Sequence, residues 1–162
     1  MRSIFCNFPF QTNLNFMKNI LVAVDRLKDA EKLIDQAVGI AKLTDAKIWL
    51  VHVSEAEPED YRIREAGPQF KYDKLAKDKK EICDSMERWT QEVKEKHNVK
   101  IEGQIIEGTV TKSLIKLVDG CNIDLVVAGH RKKNLVYGLF TSNNKKDLID
   151  ELNIPLLAVP LG

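Results

Sequence analysis

Cysteines, histidines and a basic segment after Gly129 are the residues of this chain with the greatest capacity for chemistry. The thiol and imidazole side chains are scattered, with no CxxC pair and no histidine pair at metal-ligand spacing: Cys6, Cys83, Cys121, His52, His97 and His130. This pattern indicates reduced thiols in a cytosolic protein and argues against a disulfide framework or a zinc site. We therefore interpret all six as isolated core or surface side chains.

A run of basic side chains from His130 to Lys133 follows Gly129. Such a run could bind an anion, but exposed charge runs are more commonly just solvated, and we favour that interpretation. Ser54 is a lone hydroxyl with no identifiable base, and the sequence contains no GxSxG or Walker A motif. The sequence therefore predicts a protein without enzymatic activity.

The bulk composition bounds the class of protein. The chain has 162 residues, 44% of them hydrophobic, and a net charge of +1. These values favour one soluble domain, and the small net charge argues against a broad nucleic-acid or membrane footprint. No apolar run reaches the length of a membrane span. Residues 1–16 form a poor signal peptide, so we expect an extension, disordered or mis-assigned, ahead of a domain at 17–162.

Five apolar runs predict the strands of a buried sheet: 19–24, 47–53, 99–106, 123–128 and 154–159. Helical periodicity predicts four intervening helices, at about 30–41, 70–97, 110–118 and from Thr141 or Ser142 to about 152. Asp29 and Thr109 are suitable N-caps. Pro155 should lie at the beginning of a strand or on a sheet edge. This alternation predicts a doubly wound α/β fold with helices on both faces of a parallel sheet.

In such a fold, ligands bind beyond the carboxyl ends of the strands, where the strand order reverses. The relevant connections follow Val24, Val53 and Ala128. The residues by themselves do not decide which strands flank that point.

Four segments together resemble the universal stress protein family between Met17 and Leu161: KNILVAVD, AKIWLVHV, IDLVVAGH and IPLLAVP. The resemblance implies an adenine-nucleotide alpha-hydrolase-like sheet in the order 3-2-1-4-5. It places the reversal between strands one and four, so that Asp25 and Gly129 face each other. It also implies a homodimer paired through the last strand, 154–159, whose apolar edge association would cover.

Nucleotide-binding members of that family carry G-x-x-G-x9-G-[S/T] after strand four, where glycines let the backbone approach phosphates. Here the four positions hold Gly129, Lys132, Ser142 and Asn143, so only the first is kept. A lysine at the second position would occupy phosphate space. The segment resembles the A-type branch of the family, which generally lacks ATP binding.

We therefore expect no cofactor, with an ATP- or AMP-binding regulatory module as the alternative. In that alternative the binding residues would be Asp25, Val53, Gly129, Arg131, Lys132, Ser142 and Asn143. Without a nucleotide, Asp25 would cap the loop that follows it, and we slightly favour this structural role. An enzyme of a related fold, such as an ATP pyrophosphatase, is disfavoured because the segment AVDRLKDAE after strand one contains no glycine.

Overall fold

Parallel strands form one sheet in the computed structural model, which describes residues 17–54, 68–131 and 151–161. The strands are β1 (Asn19–Val24), β2 (Lys47–Ser54), β3 (Ile101–Glu107), β4 (Leu125–Arg131) and β5 (Leu156–Leu161). Their order is β3-β2-β1-β4-β5, and neighbouring strands pair in parallel. The predicted fold class and strand order are confirmed.

Three α-helices connect these strands within the described residues: α1 (Ala30–Thr44), α2 (Pro68–His97) and α3 (Val110–Gly120), and a short 3-10 helix (Leu27–Asp29) precedes α1. Asp29 occupies the N-cap position of α1 and Thr109 that of α3. Helix α2 begins two residues before the predicted start, because a proline is tolerated in the first turn, where its missing N–H has no helical partner. The predicted fourth helix falls mostly outside the described residues.

Each face of the sheet buries its own hydrophobic core. One core packs α1 and α2 against the sheet, through residues such as Leu33, Val38 and Trp89. The other packs α3 against the opposite face, through Leu114 and Val118. Strand β1 contributes to both, since Ile20 and Leu21 point to opposite faces and are both fully buried. Because β1 is buried on both faces, its sequence is a continuous apolar run.

The amino end of the sheet is held by Asp124, which precedes β4. Its Oδ2 accepts hydrogen bonds from the backbone N–H groups of Lys18 at 2.7 Å and Asn19 at 2.9 Å. Its own N–H donates to the Asn19 carbonyl at 2.9 Å. Because Asp124 is engaged in this connection, β4 begins at Leu125, two residues later than the predicted start.

A second contact set at this end links β1, β2 and β3. The Trp49 indole N–H donates to Asn19 Oδ1 at 3.1 Å, and Lys47 Nζ lies 3.6 Å from the centre of the same ring. Lys47 also donates to Glu102 Oε2 at 2.6 Å. This hydrogen bond lowers the pKa of the Glu102 carboxyl below its usual range. The three strands are thereby tied together at the edge opposite to the predicted site.

Candidate functional site

The carboxyl ends of β1 and β4 meet at the point where the strand order reverses. Strand β1 pairs with β2 on one side and with β4 on the other. The chain therefore extends the sheet first to one side of β1 and later to its other side. Ala23 is opposite Ala128, so Asp25 and Gly129 both lie just beyond that pair, at the same edge. This is the crevice in which open α/β sheets bind ligands.

Asp25 presents an exposed carboxylate at this edge. Its side chain is 77% exposed, and its Oδ2 lies 3.8 Å from Arg26 Nε. Among the described residues, no backbone N–H donates to this carboxylate, so the predicted capping hydrogen bond is not formed there. The turn that follows is closed by a hydrogen bond from the Asp29 N–H to the Arg26 carbonyl at 3.0 Å. An ion pair this exposed is weak. The carboxylate therefore remains accessible to a ligand.

Gly129 lies within β4, and the prediction that a loop starts there is wrong. Strand β4 continues to Arg131 because β5 runs beside it, pairing Gly129 with Val159, His130 with Pro160 and Arg131 with Leu161. A Cβ at Gly129 would overlap the Leu161 side chain. Close packing in the sheet, rather than a loop conformation, thus explains why this position holds glycine.

Val53 lies near the carboxyl end of β2, on the face of the sheet that α3 covers. Next to it, the Ser54 carbonyl accepts a hydrogen bond from the Gly108 N–H at 3.1 Å. Gly108 has φ +142°, a conformation that side chains disfavour. The turn from β3 into α3 is therefore fixed against the end of β2, beside the crevice.

His52 contributes to this region, although the sequence analysis predicts for it only an isolated side chain. Its Nδ1 lies 2.9 Å from the Val24 carbonyl oxygen. A carbonyl only accepts, so the bond requires the tautomer with hydrogen on Nδ1. It ties the ends of β2 and β1 together directly before Asp25. The signal that could have found it is its place near the end of a buried strand, where a polar side chain needs a partner.

Lys79 of α2 pairs with Glu107, the last residue of β3, through a hydrogen bond of 2.5 Å. This bond raises the pKa of the Lys79 amine and lowers that of the Glu107 carboxyl. Both groups are exposed, so the pair positions α2 rather than creating a reactive group.

Three of the predicted binding residues, Lys132, Ser142 and Asn143, lie outside the described residues, and Arg131 is described only as the last residue of β4. Among the described residues, no group of three or more His, Cys, Asp or Glu side chains is placed to hold a metal ion. None of the described helices is both long and apolar enough to cross a bilayer. The described part of the site is thus the carboxyl edge of β1 and β4, with the exposed carboxylate of Asp25.

Residues 17–160 match the model of the universal stress protein family. The chain belongs to this family. A universal stress protein of Staphylococcus aureus is 29% identical over 145 residues, covering 88% of this chain and 83% of the relative. The family indicated by the sequence motifs is therefore confirmed over nearly the whole length of the chain.

Two solved structures share the fold of this universal stress protein. A universal stress protein in complex with cAMP has a TM-score of 0.62 and 16% identity, over 89% of this chain and 97% of its own. The Archaeoglobus fulgidus universal stress protein in complex with dAMP has a TM-score of 0.55 and 16% identity, over 89% and 98%. At these identities the likeness shows the fold alone.

Proposed function

We propose that this universal stress protein is a non-enzymatic, cytoplasmic stress-response protein that acts as a homodimer paired through β5 and works without ATP. The outer edge of β5 is the observation that carries the proposal. The strand ends the sheet, and beyond β4 it has no neighbouring strand among the described residues. It is also apolar, with the sequence LLAVPL.

The hydrogen-bonding direction along β5 follows from its register. Val126 N–H donates to the Pro155 carbonyl at 3.0 Å, and Val126 is opposite Leu156. In a parallel ladder the backbone N–H and C=O groups of alternate residues point to the same side. The backbone groups of Pro155 and Leu157 therefore face β4, and those of Leu156, Ala158 and Pro160 point outward. Pro160 lacks a donor on that outer side, so a second strand would pair chiefly with Leu156 and Ala158.

This geometry allows a test that spares the fold. Ala158→Pro removes an outward N–H donor and leaves the inward ladder to β4 intact, whereas Ala158→Val keeps the donor and serves as the control. We expect the dimer to dissociate at least about tenfold more readily in Ala158→Pro, since each 1.4 kcal/mol changes an affinity tenfold. Sedimentation equilibrium measures this. Equal dissociation constants for the two variants would refute pairing through β5.

Action without ATP is supported by the residues at the family's phosphate-binding positions. The second, third and fourth positions hold Lys132, Ser142 and Asn143 in place of Gly, Gly and Ser or Thr. The glycine at the first position, Gly129, is explained by its packing against Leu161 and so does not itself indicate a phosphate site. A lysine side chain in place of a glycine fills space that a phosphate would need.

Binding of AMP or a similar mononucleotide is a second candidate function. It is favoured by the complexes of structural neighbours with cAMP and dAMP, and by the exposed Asp25 carboxylate at the carboxyl edge of the sheet, where open α/β sheets bind ligands. Isothermal titration with AMP, and with ATP and magnesium, separates the two candidates. Our leading proposal expects no saturable heat with either nucleotide, whereas the second candidate expects saturable heat with AMP. Saturable ATP binding that Lys132→Ala abolishes would overturn it.

A further inference from the structure

Strand β3 forms the edge of the sheet opposite to β5, and its outer side has no neighbouring strand among the described residues. The Ile48 N–H donates to the Lys100 carbonyl at 2.7 Å, and the Gly108 N–H donates to the Ser54 carbonyl at 3.1 Å. Both bonds fix the same phase for the ladder, in which even-numbered residues of the β3 segment face β2. The backbone groups that point outward belong to the odd-numbered residues: Ile101, Gly103, Ile105 and Glu107.

This outer edge is open to pairing over its whole length. All 7 residues of β3 pair one to one with β2, from Ile101 to Glu107, so the strand contains no bulge. Its sequence, IEGQIIE, has neither proline nor lysine. Its two glutamates are already paired within the protein, Glu102 with Lys47 and Glu107 with Lys79. Bulges, prolines and free edge charges are the features that block a sheet edge, so the backbone of β3 is available to an added strand.

A groove of about 740 Å³ lies between this edge and α2. Gly103 and Ile105 line it from the strand. A Cβ at Gly103 would lie 3.1 Å from the Thr90 Oγ1 of α2, so the helix packs directly on the strand backbone there. Ile105 is 38% exposed, although it is a large apolar side chain. Because side chains alternate between the faces of a sheet, every second side chain of an added strand would lie on this side, against Ile105.

Glu87 gives the groove a preference for positive charge. Two other charged residues of α2, Asp84 and Arg88, line the groove but also line the cleft on the α1 side of that helix. Arg88 Cζ lies 5.8 Å from the centre of the Trp89 ring, which belongs to that second cleft. Glu87 lines the β3 groove and not the other cleft, is exposed, and forms no ion pair within the described residues. A basic side chain on an added strand would complement it.

We propose that β3 accepts an extended segment of another protein as an additional strand, with apolar side chains against Ile105 and a basic side chain near Glu87. Strand addition to an open sheet edge is a general mode of peptide recognition, in which backbone hydrogen bonds supply affinity and alternate side chains supply specificity. A second copy of this chain is a less suitable occupant. If two copies pair through β5, symmetric pairing through β3 at the opposite edge would join the dimers into an open-ended filament. Only this exclusion of a second copy rests on the proposed homodimer.

Synthetic peptides test the proposal on the intact protein by isothermal titration. The probe is the capped peptide Thr-Val-Thr-Lys-Thr-Val-Thr, whose symmetric sequence serves for either strand direction. One control is N-methylated on the two valines and the other on the two central threonines. Because alternate N–H groups of a strand point to opposite sides, only one control loses the donors that face β3. We expect that control to bind at least about tenfold more weakly and the other to bind like the probe. Equal affinities of the three peptides, or no saturable binding of the probe, would overturn the proposal.

Variants of the protein test the two residues named. Ile105→Pro removes an outward N–H of β3 and leaves the ladder to β2 intact, whereas Ile105→Val keeps the donor. We expect about tenfold weaker binding of the probe to Ile105→Pro than to Ile105→Val, and equal affinities would overturn pairing through β3. Glu87→Lys leaves the strand untouched, and should weaken binding of the probe but strengthen binding of the peptide with Glu in place of Lys. An unchanged preference between those two peptides would overturn the assignment of Glu87.

Sedimentation distinguishes a second copy from a peptide partner. Growth of the wild-type protein beyond a dimer that Ile105→Pro abolishes would assign the β3 edge to another copy of this chain, and would overturn the proposal. Peptide binding is measured on the chain in either oligomeric state, so a monomeric protein that binds the probe would refute pairing through β5 and support strand addition at β3.

Discussion

Leu161 occupies the space in which a side chain at Gly129 would stand. The two residues face each other across the β4–β5 ladder, one step diagonal from the pair Gly129–Val159. In family members that bind nucleotides, the first glycine of the phosphate-binding motif lies at this position. Here the same glycine has a packing role within the sheet.

We predict that Gly129→Ala destabilises the protein by less than about 1 kcal/mol, because the added methyl group meets a terminal methyl of the partly exposed Leu161 side chain, which can move aside. Leu161→Ala should make room for it, so the double variant should lose less stability than the sum of the two single variants. Urea unfolding measures all three. Gly39→Ala is the control: nothing lies within 4 Å of its added methyl group in α1, so it should be stabilising. Strict additivity at Gly129 and Leu161 would contradict this account.

Asp124 should be important for stability at the amino end of the sheet. Asp124→Ala leaves the N–H groups of Lys18 and Asn19 without their acceptor, and we expect a loss of about 1–3 kcal/mol in the free energy of unfolding. Asp119→Ala, at an exposed position of α3, should change it by less than about 0.5 kcal/mol. Thermal and chemical unfolding of both variants provide the measurement. Similar stabilities would show that the Asp124 contacts contribute little.

The hydrogen bond from His52 to the Val24 carbonyl can be separated from the packing of the ring. His52→Phe keeps an aromatic ring but removes the donor, and should cost about 1 kcal/mol. His52→Ala removes both and should cost more. Hydrogen exchange of amides at the ends of β1 and β2 should accelerate in both variants. Wild-type exchange there in His52→Phe would show that the bond does not hold these strand ends.

The Lys79–Glu107 pair predicts a specific pH dependence. The pKa of Glu107 is lowered in the folded protein, so its stabilising effect is present above the unfolded value of about 4.3 and is lost as pH falls through the folded pKa. The pKa of Lys79 is raised, so its effect persists below about 10.4 and is lost as pH rises through the folded pKa.

Glu107→Gln should therefore be slightly less stable than wild type near neutral pH and equal to it in strong acid. Urea unfolding at about pH 7 and about pH 2.5 compares the two proteins on either side of the carboxyl titration. Because both side chains are exposed, the difference should be small and should shrink in high salt. A difference that grows on acidification would contradict the sign argued here.

The order of strands and the position of the crevice could be predicted from sequence because the apolar runs are clear and the family resemblance supplies the order. The extent of β4 could not, since it depends on a partner: Gly129 and His130 become strand only when β5 runs alongside. Similarly, Ile123 and Asp124 belong to the segment IDLVVA predicted as a strand, but the contacts of Asp124 with the start of β1 leave both residues outside β4.

The site was less predictable than the fold for the same reason. Asp25 could be placed from its position after β1, whereas its partner Arg26 depends on side-chain conformation. The hydrogen bond of His52 and the outward-facing backbone groups of β3 are assigned only once the register with the neighbouring strand is known. Periodicity assigns such residues to a face of an element, but it does not supply their hydrogen-bond partners.

Pairing through β5 is the central claim, and the mass of the protein in solution tests it most directly. Sedimentation equilibrium of the wild-type chain at micromolar concentration should give twice the chain mass of 18.5 kDa. A stable species of 18.5 kDa under those conditions would contradict the proposed homodimer.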